Sequence, residues 1–263
     1  MREYYLEVAG FTILLSFYPT EHKIFQDLLI ENVINFWGKG GFLSKRPKGK
    51  VAYTIKILPF PKLIKLIGRH GGERYHNTYK FGNRVLEFYY YISFPLLQMV
   101  FKQLLYELIK KDGFILHASS VLDKNRNLIV FLAPQGGGKT TSANSMIKFK
   151  GFSKFDDDNL LVRKIGSRWK FFSPPFIEKE MSPIKKIADK ATFFFVKKAK
   201  EVNKLSIQKA KILPLLLKQI WVANKGIERQ TFENTIKFVE ENNFFILHAN
   251  LKAKELKNTL YGN

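Results

Sequence analysis

The sequence contains no cysteine, which excludes disulfide bonds, thiolate zinc sites and cysteine nucleophiles. It also contains no apolar run near the roughly 20 residues that a membrane-spanning helix requires. No long apolar segment follows Met1 as it would in a secretory signal. Together these absences predict a cytoplasmic protein with no membrane span.

Acidic residues are scarce, with 22 Asp and Glu against 44 Lys and Arg, for a net charge of +22. This excess is typical either of a protein with an acidic partner or of a lysine-rich, solvated surface. The lysines are dispersed rather than gathered into one arm, which favours the solvated surface. No nucleic-acid-binding motif is recognisable, so nucleic acid is not an expected partner.

Residues 1–94 are predicted to form a β-rich N-terminal region, and residues 95–263 a second domain. In the first region the apolar runs Tyr4–Val8 and Phe11–Phe17 flank Ala9-Gly10 as in a hairpin. The other predicted elements are a helix at 25–36, a strand at 51–58, and a hairpin of strands 75–81 and 84–92 around Gly82-Asn83. We identify no chemical motif in this region.

The second region alternates strands and helices, which predicts an α/β fold. The predicted helices cover residues 95–111, 141–150, 208–221, 228–242 and 252–260, and Pro214 is expected to bend or interrupt the third. The predicted strands cover residues 113–122, 128–132, 159–164, 168–172, 191–196 and 244–248. A hairpin turn is expected at Gly166-Ser167.

A glycine-rich segment lies between the apolar strand at 128–132 and a predicted helix. It reads Ala133-Pro134-Gln135-Gly136-Gly137-Gly138-Lys139-Thr140-Thr141. A strand, a glycine turn and Lys-Thr at a helix start are the context of a phosphate-binding loop. The pattern predicts that Gln135 to Thr141 bind a nucleotide, with Lys139 near the β and γ phosphates and Thr140 on Mg²⁺. Ala133 stands where the standard pattern has glycine.

Three consecutive aspartates, Asp156 to Asp158, follow the predicted helix and a short strand. They can therefore end beside the phosphates of the loop. Mg²⁺ requires a carboxylate, often through water, and phosphoryl transfer to a hydroxyl requires another to orient and deprotonate it. His117, on the predicted strand before the loop, could lie near them and tune their pKa. Further candidates for charge or metal support are Arg163, Arg168, Glu178 and Glu180.

These residues together resemble the HPr kinase/phosphorylase superfamily. The resemblance rests on His117-Ala-Ser-Ser-Val, on the loop Gly136 to Thr141, and on Gly151-Phe-Ser-Lys-Phe-Asp-Asp-Asp158. It covers about residues 113–180 and implies a nucleotide fold similar to that of phosphoenolpyruvate carboxykinase. It also implies that Asp157 and Asp158 are the paired aspartates, one acting as base toward a serine hydroxyl and the other supporting Mg²⁺ and the histidine. Which aspartate has which role stays open.

The sequence departs from true HPr kinases in two ways: it lacks their downstream glycine-containing signature, and its N-terminal part does not match theirs. The resemblance therefore does not imply HPr as the acceptor. We expect an ATP- and Mg²⁺-dependent kinase with Asp157, Asp158 and His117 as catalytic residues and with Thr140 and Asp157 at the metal.

The expected acceptor is a hydroxyl on a peptide, a protein or a small molecule, and the positive charge suits an acidic peptide or protein. The alternatives are a nucleotide-binding regulatory protein without catalysis, a nucleic-acid-stimulated ATPase and a carboxykinase-like enzyme. Whether the chain forms a homo-oligomer stays open.

Overall fold

The computed structural model describes residues 1–21, 23–59, 79–89, 93–176, 182–223, 226–250 and 252–261. Over these residues the protein is a mixed α/β structure with three sheets and six α-helices. The contacts divide the chain into two compact units, Met1–Lys102 with Pro175–Lys185, and Gln103–Pro174 with Lys186–Asn263. None of the described helices is long and apolar enough to cross a membrane.

The first unit is built around one six-stranded sheet. Its strands are β1 (Arg2–Val8), β2 (Phe11–Phe17), β3 (Leu43–Ser44), β4 (Val51–Leu58), β5 (Tyr79–Gly82) and β6 (Val85–Tyr89), in the order β3-β1-β2-β4-β6-β5. Helix α1 (Lys23–Val33) continues into a π-helical turn, Ile34–Gly38. Buried side chains of the sheet and the helix, among them Leu6, Ile13 and Trp37, form the core of this unit.

Both hairpins predicted for this unit are confirmed where the structure describes them. Strands β1 and β2 are antiparallel, and the turn residues Ala9 and Gly10 have φ values of 49° and 79°. Two successive positive φ values are required by the type of two-residue hairpin turn whose backbone twist matches that of the flanking strands. Strands β5 and β6 form the second hairpin. Residues 75–78 and 90–92 of the predicted strands lie outside the described residues.

The second unit contains two sheets. The mixed sheet has β8 (Ser119–Leu122), β9 (Leu128–Leu132), β10 (Ser153–Asp156), β14 (Ala191–Lys198), β15 (Asn203–Ser206) and β17 (Phe244–Ala249), in the order β10-β8-β9-β14-β17-β15. The antiparallel sheet has β7 (Gly113–Leu116), β11 (Leu160–Ile165), β12 (Arg168–Phe172), β13 (Ile187–Ala188) and β16 (Ile220–Trp221), in the order β13-β12-β11-β7-β16. Helix α2 (Phe94–Ile109) begins in the first unit and ends in the second. The other helices of the second unit are α3 (Lys139–Met146), α4 (Lys209–Leu217), α5 (Arg229–Glu241) and α6 (Ala253–Tyr261).

Strand β9 is apolar throughout because both of its faces are covered. Leu128, Val130 and Leu132 belong to a core shared with the antiparallel sheet and with Phe238 of α5. Alternate positions, beginning with Ile129, belong to a second core that includes residues of α3 and α6. Strands β9, β14 and β17 run parallel, and a parallel strand buried on both faces is expected to be a continuous apolar run.

The prediction of one strand over residues 113–122 is wrong. The chain leaves the antiparallel sheet after Leu116 and enters the mixed sheet at Ser119. At the crossing, the His117 amide donates to the Gln219 carbonyl at 2.7 Å. Residues 113–116 and 119–121 are all buried, so burial continues across the change of sheet and the sequence pattern does not mark it.

Two helix predictions also need correction. The helix after the glycine loop begins at Lys139 and ends at Met146, instead of covering 141–150. Helix α4 contains Pro214 in its interior and ends at Leu217, instead of continuing to Trp221. Residues Ile220–Trp221 form strand β16 because they pair with β7. Strand β15 was not predicted, since its residues are exposed and largely polar.

Candidate functional site

The glycine loop joins the carboxyl end of β9 to the first residue of α3. Gly136 and Gly138 have φ values of 73° and 101°, which L side chains rarely adopt. A Cβ on Gly137 would lie 2.7 Å from the Cβ of Ala133, so a side chain there would push the loop open. Left-handed residues beside a helix N-terminus turn backbone amides toward a common concavity, which is the geometry of an anion site.

Lys139 lies within this loop, and its side chain is buried. Its ammonium donates to the Ala133 carbonyl at 2.7 Å and to the Pro134 carbonyl at 3.4 Å. The positive charge is therefore held at the loop by the loop's own backbone. Gln135 and Thr141 are exposed at either end of the predicted nucleotide-binding segment.

A cavity of about 400 Å³ opens beside the loop. Its lining comes from the loop and α3 and from the carboxyl ends of the parallel strands: Gly138, Thr141, Ser142, Val196, Lys198, Ala199, Ala249 and Asn250. Carboxyl ends of parallel strands are where open α/β sheets bind ligands. The volume lies within the range of small-molecule sites.

Of the aspartates predicted to approach the loop, Asp157 lies beside α3, the helix that begins at the loop. Lys154 Nζ donates to Asn144 Oδ1 of α3 at 3.1 Å and to Asp157, so it joins α3 to the segment after β10. Hydrogen bonding from Thr140 also acts on the Asp157 carboxyl group and lowers its pKa. Asp157 also accepts from Ser119 Oγ at 2.7 Å and from Lys154 Nζ at 3.0 Å. The side chains of Lys154 and Asp157 are only 7% and 6% exposed, so this is a buried ion pair with hydroxyl partners.

These partners set the charge of Asp157. Burial alone would raise the pKa of this carboxyl group, because it disfavours the charged form. The hydrogen bond from Ser119, the hydrogen bond and charge of Lys154, and the hydrogen bond from Thr140 outweigh burial, and the pKa lies below its usual value. Asp157 is therefore a fixed anion at physiological pH.

Asp158, the next residue, has a different environment. One of its oxygens lies 2.9 Å from His117 Nε2, and the two side chains are 43% and 41% exposed. The side-chain amide of Asn159 donates to the other oxygen of Asp158 at 3.2 Å. Asp156 holds the turn, because its carboxylate accepts from the backbone amides of Asp158 and Asn159. The two neighbouring aspartates thus face a buried and an accessible environment, respectively.

Two members of this cluster were missed by sequence reasoning. Ser119 and Lys154 both lie inside the motifs quoted above, but the sequence pattern gives neither of them a role. The ammonium of Lys154 also donates to Ser119 Oγ and to Asn144 Oδ1, both at 3.1 Å. A regular strand places residues three apart on opposite faces, whereas β10 has an irregular register between Lys154 and Asp156. That irregularity is not visible in the sequence.

The candidate arginines do not lie at the loop. Arg163 forms a two-pronged ion pair with Asp112, and in the sheet it pairs with Gly113, at the far end of β7 from His117. Arg168 lines a separate cavity of about 570 Å³ that includes Leu128, the first residue of β9. Glu178 and Glu180 lie outside the described residues.

The residues present fit a Mg²⁺ ion that is bound mainly by phosphate oxygens. With its hydrogen directed at Asp157, the Thr140 hydroxyl keeps oxygen lone pairs for a hard cation. Asp157 can act behind Thr140 or through water, because hydrogen-bond donors already surround one of its oxygens. Among the described residues no group of three or more His, Cys, Asp or Glu side chains could hold a metal by itself.

Comparisons with known proteins give little further support. No family model and no curated protein matches the chain. Among solved structures, the HPr(Ser) kinase/phosphatase from Coxiella burnetii is similar at a TM-score of 0.27 and 9% identity, covering 48% of this chain and 89% of that chain. A likeness at this level has no weight for function, so functional inference depends on the geometry of the site.

Proposed function

We propose that this protein is an ATP- and Mg²⁺-dependent kinase of the HPr-kinase-like type, which transfers the γ-phosphoryl group to a serine or threonine hydroxyl. One observation carries the proposal: the Lys154 ammonium donates both to Asn144 of α3, the helix that begins at the glycine loop, and to Asp157 of the aspartate pair. Nucleotide-binding and acceptor-activating groups are thereby neighbours. A chance glycine turn has no reason to be tied to a carboxylate pair in this way.

In this proposal the loop amides and Lys139 bind the β and γ phosphates. The amides serve because Gly136 to Gly138 turn them inward at the start of α3. Lys139 serves because its buried ammonium already lies among the loop carbonyls. The cavity beside Thr141 and Ser142 accommodates the nucleoside.

Thr140 and Asp157 would hold Mg²⁺, Thr140 directly and Asp157 from behind it. When bound, the ion neutralises charge on the phosphate oxygens. The chain's own contribution is to keep the Thr140 oxygen directed at the phosphates. The negative charge of Asp157 helps to keep the Thr140 oxygen in this direction, because a neutral carboxyl group would no longer fix the direction of the Thr140 hydroxyl hydrogen.

We assign the base to Asp158. Asp157 is committed to Ser119, Lys154 and Thr140, and burial keeps it from an incoming acceptor. Asp158 is accessible, and His117 orients it at 2.9 Å. A carboxylate in this position can accept the hydroxyl proton of the acceptor as the phosphoryl group is transferred. His117 is then a positioning residue.

The net charge of +22 favours an acidic peptide or protein as acceptor. Phosphotransfer to acidic serine- and threonine-containing peptides should therefore exceed transfer to basic peptides of equal length, and the difference should shrink as salt is added.

The test is ATP binding by calorimetry, followed by transfer from γ-labelled ATP to a serine and threonine peptide library. Lys139→Ala should weaken ATP binding by at least about tenfold, since it removes a charge-assisted contact. Asp158→Asn should keep binding within about threefold and lose about 100-fold or more of transfer. Asp189→Asn, at an exposed carboxylate paired with Lys170, serves as the matched control. Full transfer by Asp158→Asn would exclude the proposed role.

One observation favours a second candidate, a nucleotide-binding protein without catalysis. Lys154 already neutralises Asp157. A protein that only senses nucleotide has no catalytic step that requires this ion pair to break. This candidate predicts ATP binding in the wild type with no transfer to any peptide and with no effect of Asp158→Asn.

A further inference from the structure

Lys154 is a buried cation inside the candidate site. Its ammonium has three side-chain partners: Asp157 at 3.0 Å, Ser119 at 3.1 Å and Asn144 at 3.1 Å. These partners come from β8, from α3 and from the segment after β10. Three bonds satisfy all the hydrogens of a lysine ammonium, so its position is fixed.

Fold stability does not explain this lysine well. Its neighbour Phe155 is buried in the core between the sheets, so strand β10 is already anchored by an apolar side chain. A buried ion pair typically stabilises a fold no better than a well-packed apolar residue of similar volume. The charge of Lys154 is better explained by what lies next to it.

What lies next to it is the carboxylate that contacts Thr140. The same Asp157 accepts from Lys154 and from Thr140. Any cation held by the Thr140 oxygen would share Asp157 with a permanent positive charge a few ångströms away. In a buried setting such a charge is poorly screened, so it offsets both the attraction of Asp157 for a divalent ion and its repulsion of a phosphate.

We propose that Lys154 is a built-in cation of the phosphate site and that it reduces the dependence of ATP binding on Mg²⁺. This rests on the proposed nucleotide-binding function. Lys154 offsets the charge of Asp157, so this carboxylate repels a bound phosphate less and attracts a divalent ion less. The site therefore binds free ATP nearly as well as it binds MgATP.

The test is calorimetric ATP binding by the full chain in EDTA and in excess Mg²⁺, with the ratio of the two dissociation constants as the readout. In the wild type Mg²⁺ should tighten binding by less than about tenfold. Lys154→Met should weaken binding in EDTA, regain it in Mg²⁺, and raise this ratio at least about tenfold over the wild type. Lys150→Met, at an exposed lysine four residues earlier in the chain, is the matched control and should leave the ratio unchanged.

A double-mutant comparison checks that Lys154 acts through Asp157. On an Asp157→Asn background, Lys154→Met should change the ratio by less than about threefold, since the shared carboxylate is gone. The wild-type ratio decides the matter even where Lys154→Met does not fold: a ratio above about tenfold overturns the inference. ATP binding with the same ratio in wild type and Lys154→Met overturns the inference alone, whereas no ATP binding in either buffer overturns the proposed function as well.

Discussion

Asp157→Asn and Asp158→Asn are the same chemical change at adjacent positions, and we predict a large loss of stability for the first and little change for the second. Asp157→Asn leaves the Lys154 ammonium, with its side chain 7% exposed, without a counter-charge. Breaking a buried pair by removing one partner costs about 3 to 5 kcal/mol. For a chain of this size each kcal/mol lowers Tm by about 2 to 4 °C, so Tm should fall by about 6 to 20 °C.

Asp158→Asn should have little effect on stability. The side chain is 43% exposed, and its ion pair with His117 is open to solvent. Exposed pairs of this kind contribute up to about 1 kcal/mol, so Tm should change by no more than about 4 °C. Asp158→Asn should instead lose phosphotransfer.

The assay is urea and thermal unfolding followed by circular dichroism, with ATP binding measured on the folded variants. The double variant Asp157→Asn, Lys154→Met removes the stranded charge and should be more stable than Asp157→Asn alone. An Asp157→Asn variant that unfolds within about 1 kcal/mol of the wild type would refute the reasoning, because a buried ammonium cannot lose its carboxylate at so small a cost.

Three further predictions concern the loop, the core and a pH-dependent contact. Gly137→Ala should weaken ATP binding by at least about tenfold, because the new Cβ would lie 2.7 Å from the Cβ of Ala133. Gly136→Ala places its Cβ where no atom lies within 4 Å. It should lower the free energy of unfolding because of the positive φ, and it should weaken ATP binding less than Gly137→Ala does. Phe238→Ala should lower the free energy of unfolding by about 3 to 5 kcal/mol in urea titrations, since its ring is fully buried among other aromatic rings. Hydrogen bonding from Lys164, with a further bond from the Trp169 indole, lowers the pKa of Glu241 despite partial burial. Glu241 therefore stabilises the fold above its unfolded pKa of about 4.3, and this contribution is lost as the pH falls. The difference in the free energy of unfolding between wild type and Glu241→Gln, measured in urea, should be smaller at pH 3.5 than at pH 7. An equal difference at the two pH values would contradict this prediction.

Much of the local structure could be predicted from the sequence. The apolar run Leu128–Leu132, the glycines and Lys139-Thr140 predicted a strand, a turn and a helix start, and the structure has them in that order. Such signals are local, because hydrophobic period and backbone preference act over a few residues. The approach of the aspartates to the loop was also predictable, since a short strand after a helix returns the chain to the same edge of the sheet.

The separate environments of Asp157 and Asp158 were not predictable. Three aspartates in a row look equivalent in sequence, and the resemblance to a known family left their roles open. Their difference depends on the irregular register of β10 and on Ser119, which is 38 residues away from Asp157. A one-residue step at a strand end turns a side chain to the other side, and burial depends on which distant residues pack there.

The contacts of Lys154 and the change of sheet at His117 were likewise not predictable from the sequence. By itself the sequence determined a phosphate-loop pattern, an α/β order of elements and a pair of candidate carboxylates, because spacing along the chain specifies these. Only the tertiary structure decided that one carboxylate is neutralised by a buried lysine and that the other remains accessible beside a histidine. The physical reason is that charge and burial are properties of what surrounds a side chain, and here those surroundings come from residues distant in sequence.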